Sequence, residues 1–216
     1  ERNKGYIATY KMDVYKDETG HDEENYDVTE RIVKTLLWLY GGYKVTVAGS
    51  KKIYEGLAEA YKQGGAREFD ANFMARVYEK PFEVVKATFE TIPEKKSCSL
   101  KVGGHLDGCR IGFDAGGSDR KVSAVVNGEV IYSEEVVWNP KTTEDPTYHY
   151  AEILTAMKTA ASKMSTVDAI GVSSAGVFVG NAPMVASLFI KVPRSNWEKV
   201  KTIYDRAAAE IGDVPI

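Results

Sequence analysis

The stretch Ile111-Gly112-Phe113-Asp114-Ala115-Gly116-Gly117-Ser118-Asp119-Arg120 decides how this chain folds. An apolar strand carries one carboxylate, Asp114, to its end and then turns on two glycines and a hydroxyl. From Lys121 to Val126 polar and apolar residues alternate, the period of a half-buried strand. Asn127-Gly128 follows. Between apolar runs that dipeptide marks a tight hairpin, because both central positions need positive φ. The chain then returns from Glu129 to Val137. Three meandering strands are expected, with a carboxylate and exposed backbone amides at the first turn. Such a turn suits a metal-bound polyphosphate.

Composition sets the bounds. The 216 residues are 44% hydrophobic and 27% charged, enough apolar material for a globular core. The net charge of -3 argues against a dedicated nucleic-acid or anionic-membrane binder. No apolar run reaches the roughly 20 residues of a membrane span, and the start at Glu1 has no signal-peptide pattern. A cytoplasmic protein is expected. Because the first residue is not Met, the chain reads as a piece of a longer protein. Cys98 and Cys109 are too few for a disulfide scaffold and read as inert thiols.

The first hundred residues read as a small α+β unit of undefined role. Tyr6–Tyr15 has strand composition, and 16–26 is an acidic loop. A helix is expected from Asp27-Val28-Thr29-Glu30 to about Tyr40, buried along Val28, Ile32, Val33, Leu36, Leu37, Leu39 and Tyr40. Gly41-Gly42 ends it. A strand at 44–48 leads through Gly49 to Ser50, the cap of a helix to about Gln63 with Ile53, Leu57, Ala60 and Tyr61 inward. That strand–turn–helix could take an anion at the helix N-terminus. It has no nucleotide-loop pattern, so it reads as a plain structural connection. Asp70 caps a further helical piece, and 82–89 alternates like a strand. The break at Pro93–Ser97, or Gly103-Gly104, separates domains at 1–103 and 104–216.

In the second half, Asp145-Pro146 pairs an N-cap with a pre-organised first helical residue. Tyr150, Ile153, Leu154, Met157, Ala160, Ala161 and Met164 then recur at helical spacing as a core stripe. Val167–Ser173 is a strand opening into the small-residue turn Ser174-Ala175-Gly176. Two short strands, 177–179 and 184–190, surround Gly180-Asn181-Ala182-Pro183. Ser195-Asn196-Trp197-Glu198 has the pattern of a capping box, starting a helix to Ile211. Asp213–Ile216 has the character of a further strand's beginning.

From residue 110 the order is strand, Asp-x-Gly-Gly-Ser turn, strand, Asn-Gly turn, strand, helix, strand, small-residue turn, helix. This resembles the N-terminal, ribonuclease H-like lobe of the actin-like ATPase superfamily, and within it the ROK group of bacterial sugar kinases and sugar-responsive repressors. Ile111–Ser118 matches the group's Gly-hydrophobic-Asp-x-Gly-Gly-Thr phosphate motif. Asp168-Ala169-Ile170-Gly171-Val172-Ser173-Ser174-Ala175-Gly176 matches its second glycine-bearing strand end. The resemblance covers 110–216 and implies an α/β fold with a mixed sheet and a nucleotide cleft. ATP and Mg²⁺ are the implied cofactors. Asp114 would hold the metal through water, and Gly116, Gly117 and Ser118 would cradle the β- and γ-phosphates. Ser173, Ser174, Gly176 and Asn181 are the candidate substrate contacts. Arg120 and Lys121 add charge at the mouth, where they either touch phosphate or stay solvated.

The chain also departs from the group. Its sugar-contacting Asn-Leu-x-Gly-Trp segment has no clean counterpart in Leu188–Arg194, with Trp197 further on. The catalytic Asp of the group's Asn-Asp pair, the zinc motif and the adenine-binding lobe would fall beyond Ile216. The expectation is therefore the phosphate-binding part of a sugar kinase, inactive alone and partnered by a C-terminal lobe, with a homo-oligomer left open. The alternatives are a non-catalytic sugar-responsive regulator on the same fold, another actin-like ATPase, or a plain structural domain. An activator-type ATPase would need an intersubunit iron–sulfur motif, which Cys98 and Cys109 do not supply.

Overall fold

A computed structural model describes residues 1–97 and 103–216; Cys98 lies outside them. The chain divides into two units, 1–101 and 102–216.

In the first unit α1 (Asp22–Tyr40), β1 (Lys44–Ala48), α2 (Lys51–Tyr61), α3 (Glu68–Tyr78) and β2 (Glu83–Ala87) follow in order. The two strands pair in parallel, Lys44 opposite Glu83 through Ala48 opposite Ala87. The Ser50 hydroxyl accepts from the Ile53 N–H at 3.0 Å, as a cap should. Ile53, Leu57, Ala60 and Tyr61 are all buried, packed with Leu37, Ala71 and Met74.

Four expectations for this unit change. Tyr6–Tyr15 is not a strand. Ile7 makes an isolated bridge to Lys96, and 8–16 is exposed, with no neighbour among the described residues to complete a ladder. The first helix begins at Asp22 rather than Asp27 because Asn25 binds the backbone N–H and carbonyl of Tyr15, at 3.0 and 2.9 Å, and draws the acidic loop onto the helix. Its expected apolar face is only partly covered: Leu37 is buried and Ile32, Val33 and Leu36 are half-buried, but Val28, Leu39 and Tyr40 are exposed, while Asn25 and Glu30 are buried. Glu30 is paired with the Arg67 guanidinium, the partner a buried carboxylate needs. Asp70, expected as a cap, lies inside α3, where its carboxylate accepts from the Trp38 indole N–H at 2.6 Å.

The second unit holds the motif. It comprises β3 (Cys109–Ala115), β4 (Asp119–Val126), β5 (Glu129–Val137), α4 (Pro146–Ala161), β6 (Ala169–Ser174), β7 (Val177–Val179), β8 (Ala182–Val185), α5 (Trp197–Lys201) and α6 (Ile203–Ala209). The main sheet runs β5-β4-β3-β6, with β3 antiparallel to β4 and parallel to β6. The meander, the helical crossover and the parallel return beside the first strand make this a mixed α/β sheet. Asn127 and Gly128 have φ of 51° and 87°, the conformation that reverses β4 into β5. The Ile170 N–H donates to the Pro215 carbonyl at 2.9 Å, so the last residues lie along the free edge of β6, as a next strand would.

Period-two alternation decides the faces. Ile111, Phe113, Ala115, Val122, Ala124 and Ile170 point to one side and pack under α4, α5 and α6. Ile153 and Met157 of α4 have no exposed surface. Each contributes about 1.5–3 kcal/mol from burial. The other side of the sheet presents Gly112, Asp114, Lys121, Ser123, Ser133, Gly171 and Ser173.

Two further expectations change here. Residues 187–189 form a 3₁₀ turn rather than strand, with Leu188 and Phe189 buried in the helix-covered core. The Ser195 capping box does not form, since no side chain caps α5, and the expected long helix breaks at Thr202. The Thr202 hydroxyl instead donates to the Glu198 carbonyl at 3.2 Å.

Candidate functional site

Asp114 is the last outward-facing residue of β3. Lys121 of β4 sits opposite it on one side and Ser173 of β6 on the other. The two motifs therefore meet at the same end of the sheet, one register step before the Gly-Gly-Ser turn. A shallow groove of about 480 Å³ runs from there along Gly112, Ser123, Ser133 and Gly171. Small residues on all four strands of the sheet leave that space open.

The turn is braced from beneath. The Trp138 indole N–H donates to the Gly116 carbonyl at 2.8 Å, and the Trp138 backbone N–H to the Ser118 carbonyl at 3.1 Å. Gly116 is required by space: a Cβ there would collide with the Asp119 carbonyl and stand 2.8 Å from the Asp119 Oδ1. Gly117 and Ser118 are exposed. Beside them the Lys121 ammonium donates to the Asp119 carboxylate at 2.8 Å. That contact holds the Asp119 carboxyl below the usual range, helped by the Ser118 hydroxyl, and raises the Lys121 pKa. Lys121 also lies 3.7 Å from Glu135.

Arg120 is not at the mouth. It alternates to the core side, 4% exposed. There its Nε donates to Glu152 of α4 at 2.8 Å and its Nη1 to Glu134 of β5 at 3.4 Å. Extending the Val122–Ala124 alternation back by one step is the sequence signal for this placement.

The second-motif residues separate. Ser173 joins the groove. Ser174 turns inward, its Oγ buried beside the Tyr204 phenol, whose pKa burial pushes up. Gly176 has φ +151°, and a Cβ there would lie 2.6 Å from the Val185 carbonyl, so this glycine serves the β7–β8 hairpin. The Asn181 amide donates to Asp205 at 2.9 Å and to the Ile216 carbonyl at 3.2 Å, a structural tie. Of the four substrate candidates, only Ser173 shares the groove with Asp114.

Two residues near the turn carry no motif. Lys141, in the 3₁₀ turn Pro140–Thr142, extends its side chain over Gly117; a Cβ on Gly117 would come within 2.7 Å of the Lys141 Cε and nearer still to Nζ. His149, fully buried, holds that segment: its Nε2 is 2.9 Å from the Pro140 carbonyl and 3.1 Å from the Leu188 carbonyl. A single lysine in a loop and a histidine on an apolar helix give no sequence signal of their own.

Among the described residues no group of three His, Cys, Asp or Glu side chains could enclose a metal. One carboxylate beside a groove fits Mg²⁺ that keeps most of its water and binds substrate phosphates, the usual pattern for that ion.

The chain matches no protein-family model and no curated protein sequence. Among solved structures it is similar to a Listeria monocytogenes protein named as an N-acetylmannosamine kinase, at 22% identity and a TM-score of 0.30, over 50% of this chain and 33% of that one. It is also similar to an exopolyphosphatase of Cytophaga hutchinsonii, at 10% identity and a TM-score of 0.24, over 73% and 52% of the two chains. A Ppx/GppA family member of Aquifex aeolicus matches at 14% identity and a TM-score of 0.22, over 72% and 50%. The chain spans a third to about half the length of these proteins. Likeness this distant says nothing of activity. Among the described residues no helix is long and apolar enough to cross a membrane.

Proposed function

We propose that residues 104–216 are the phosphate-binding lobe of a ROK-like, ATP-dependent sugar kinase that is completed by a second lobe. The observation that supports this best is the register placing Asp114 beside Ser173 and Lys121, directly before the Gly-Gly-Ser turn. Asp114 would hold Mg²⁺ through water, and the ion when bound offsets the charge of the β- and γ-phosphates. The Gly117 and Ser118 amides and the Ser118 hydroxyl would donate hydrogen bonds to phosphate oxygens. Trp138 keeps that backbone in place through its two hydrogen bonds, so little ordering remains to be done on binding. Ser173, at the groove's wall, is the candidate contact for the acceptor.

The test is sugar-dependent ATP turnover by the full-length protein against a hexose panel. Asp114→Asn should lower turnover at least a hundredfold while leaving the melting temperature within a degree or two of wild type. Turnover that survives the substitution, or its absence with every sugar alongside no stabilisation by Mg-ATP, would overturn the kinase reading.

A further inference from the structure

We propose that Lys141 is the cation of this phosphate site, resting on the proposed phosphate-binding role of the turn. Its aliphatic stem and ammonium lie on the Gly117 backbone, in the space a side chain there would fill. Gly117 has no positive φ that would demand glycine; what its missing side chain permits is this approach by Lys141.

The charge state of the neighbourhood favours Lys141 over the lysine nearer Asp114. Lys121 is already paired with Asp119 and Glu135. Among the described residues no hydrogen bond or ion pair engages the Lys141 ammonium. A buried Arg120 balanced by Glu134 and Glu152 supplies no free charge either. Lys141 is thus the cation at the turn whose charge no acidic side chain offsets.

Its backbone is held although its tip is exposed. Pro140 is buried, its carbonyl facing His149 Nε2. The Asn139 N–H donates to the Tyr148 hydroxyl at 3.0 Å, and the Asn139 carbonyl accepts from the hydroxyls of Thr142 and Thr143. Trp138, one residue earlier, makes both braces to the turn. The same short segment therefore positions the phosphate-facing backbone and aims a lysine across it. A flexible ammonium with three donors can follow a terminal phosphate without the fixed geometry that a guanidinium imposes.

The probe is inorganic tripolyphosphate with Mg²⁺, titrated calorimetrically into this 216-residue chain at low salt. Wild type should bind, Lys141→Ala should bind about tenfold more weakly, and its affinity should depend less on salt, as losing one charge contact requires. Lys141→Arg should recover most of the affinity, which a purely packing role would not predict. Lys158→Ala, remote on the far end of α4, should match wild type. Gly117→Val should weaken binding as Lys141→Ala does, by displacing the stem. Wild-type binding that Lys141→Ala leaves unchanged would overturn the role of Lys141 alone. Failure of the wild type to bind would overturn the phosphate turn and Lys141 with it.

Discussion

Replacing Arg120 by Ala distinguishes a core arginine from a phosphate-binding one. The residue is 4% exposed, and its side chain bridges β4 to α4 and β5 through Glu152 at 2.8 Å and Glu134 at 3.4 Å. Removing one member of a fully buried ion pair costs about 3–5 kcal/mol, because the remaining charge has lost its partner. Here the carboxylates keep 31% and 26% of their side-chain exposure, so water recovers part of that loss. The cavity left by the guanidinium's stem adds to it. The expected destabilisation is about 2–3 kcal/mol, a fall in melting temperature of roughly 10 °C for a unit of this size. Urea denaturation in a Trp38→Phe background measures it, since Trp138 and Trp197 then report the second unit alone. The triple variant Arg120→Met, Glu134→Gln, Glu152→Gln should recover at least half the loss, because no unpaired charge remains. A loss below about 0.5 kcal/mol, or tripolyphosphate binding that falls while stability holds, would refute the core placement.

Three further outcomes follow from the same geometry. Gly116→Ala should destabilise the β3–β4 turn by about 1–3 kcal/mol, since the Asp119 carbonyl must move, and should abolish tripolyphosphate binding, both readable by thermal melts and calorimetry. His149→Ala leaves the Pro140 and Leu188 carbonyls without their donor and should cost about 2–4 kcal/mol in urea melts; His149→Phe should not restore it, because shape alone does not replace the N–H. Asp17 binds the Ser50 hydroxyl and the Lys51 and Lys52 amides at the start of α2, and the Ser50 contact first holds its carboxyl below the usual range. A depressed carboxyl stabilises the fold above its unfolded value and loses that contribution as pH falls through the lower folded value. Acid titration followed by NMR should show the 16–20 loop detaching below the ordinary aspartate range, and Asp17→Asn should detach it already at neutral pH.

Asp17 also illustrates why the first unit was hard to read. The Gly49-Ser50 turn opens a helix N-terminus that could take an anion, yet the chain's own acidic loop supplies that anion from thirty-odd residues away. Asn25 and Glu30 are likewise buried on α1 because each finds a partner outside the helix, Tyr15 and Arg67, and helical periodicity carries no record of such partners.

Local chemistry, by contrast, was written plainly in the second unit. Asn127-Gly128 determines a hairpin because few residues tolerate its φ values, and Asp145-Pro146 determines a helix start because its carboxylate reaches the Thr147 N–H. The alternation through β3 and β4 set which side of the sheet would be covered, and so put Asp114 on the open side. These features act over a few residues, so sequence by itself was enough to place the turn, the strands and the carboxylate. Tertiary structure alone decided the rest. Sheet register brought Ser173 to Asp114 and turned Ser174 away. Packing brought Glu152 of α4 and Glu134 of β5 to the inward-facing Arg120, and the loop after β5, tied down by Trp138 and His149, laid Lys141 over Gly117. Such contacts join residues from about ten to about sixty positions apart, and their energies depend on burial and charge pairing that exist only once the chain has folded.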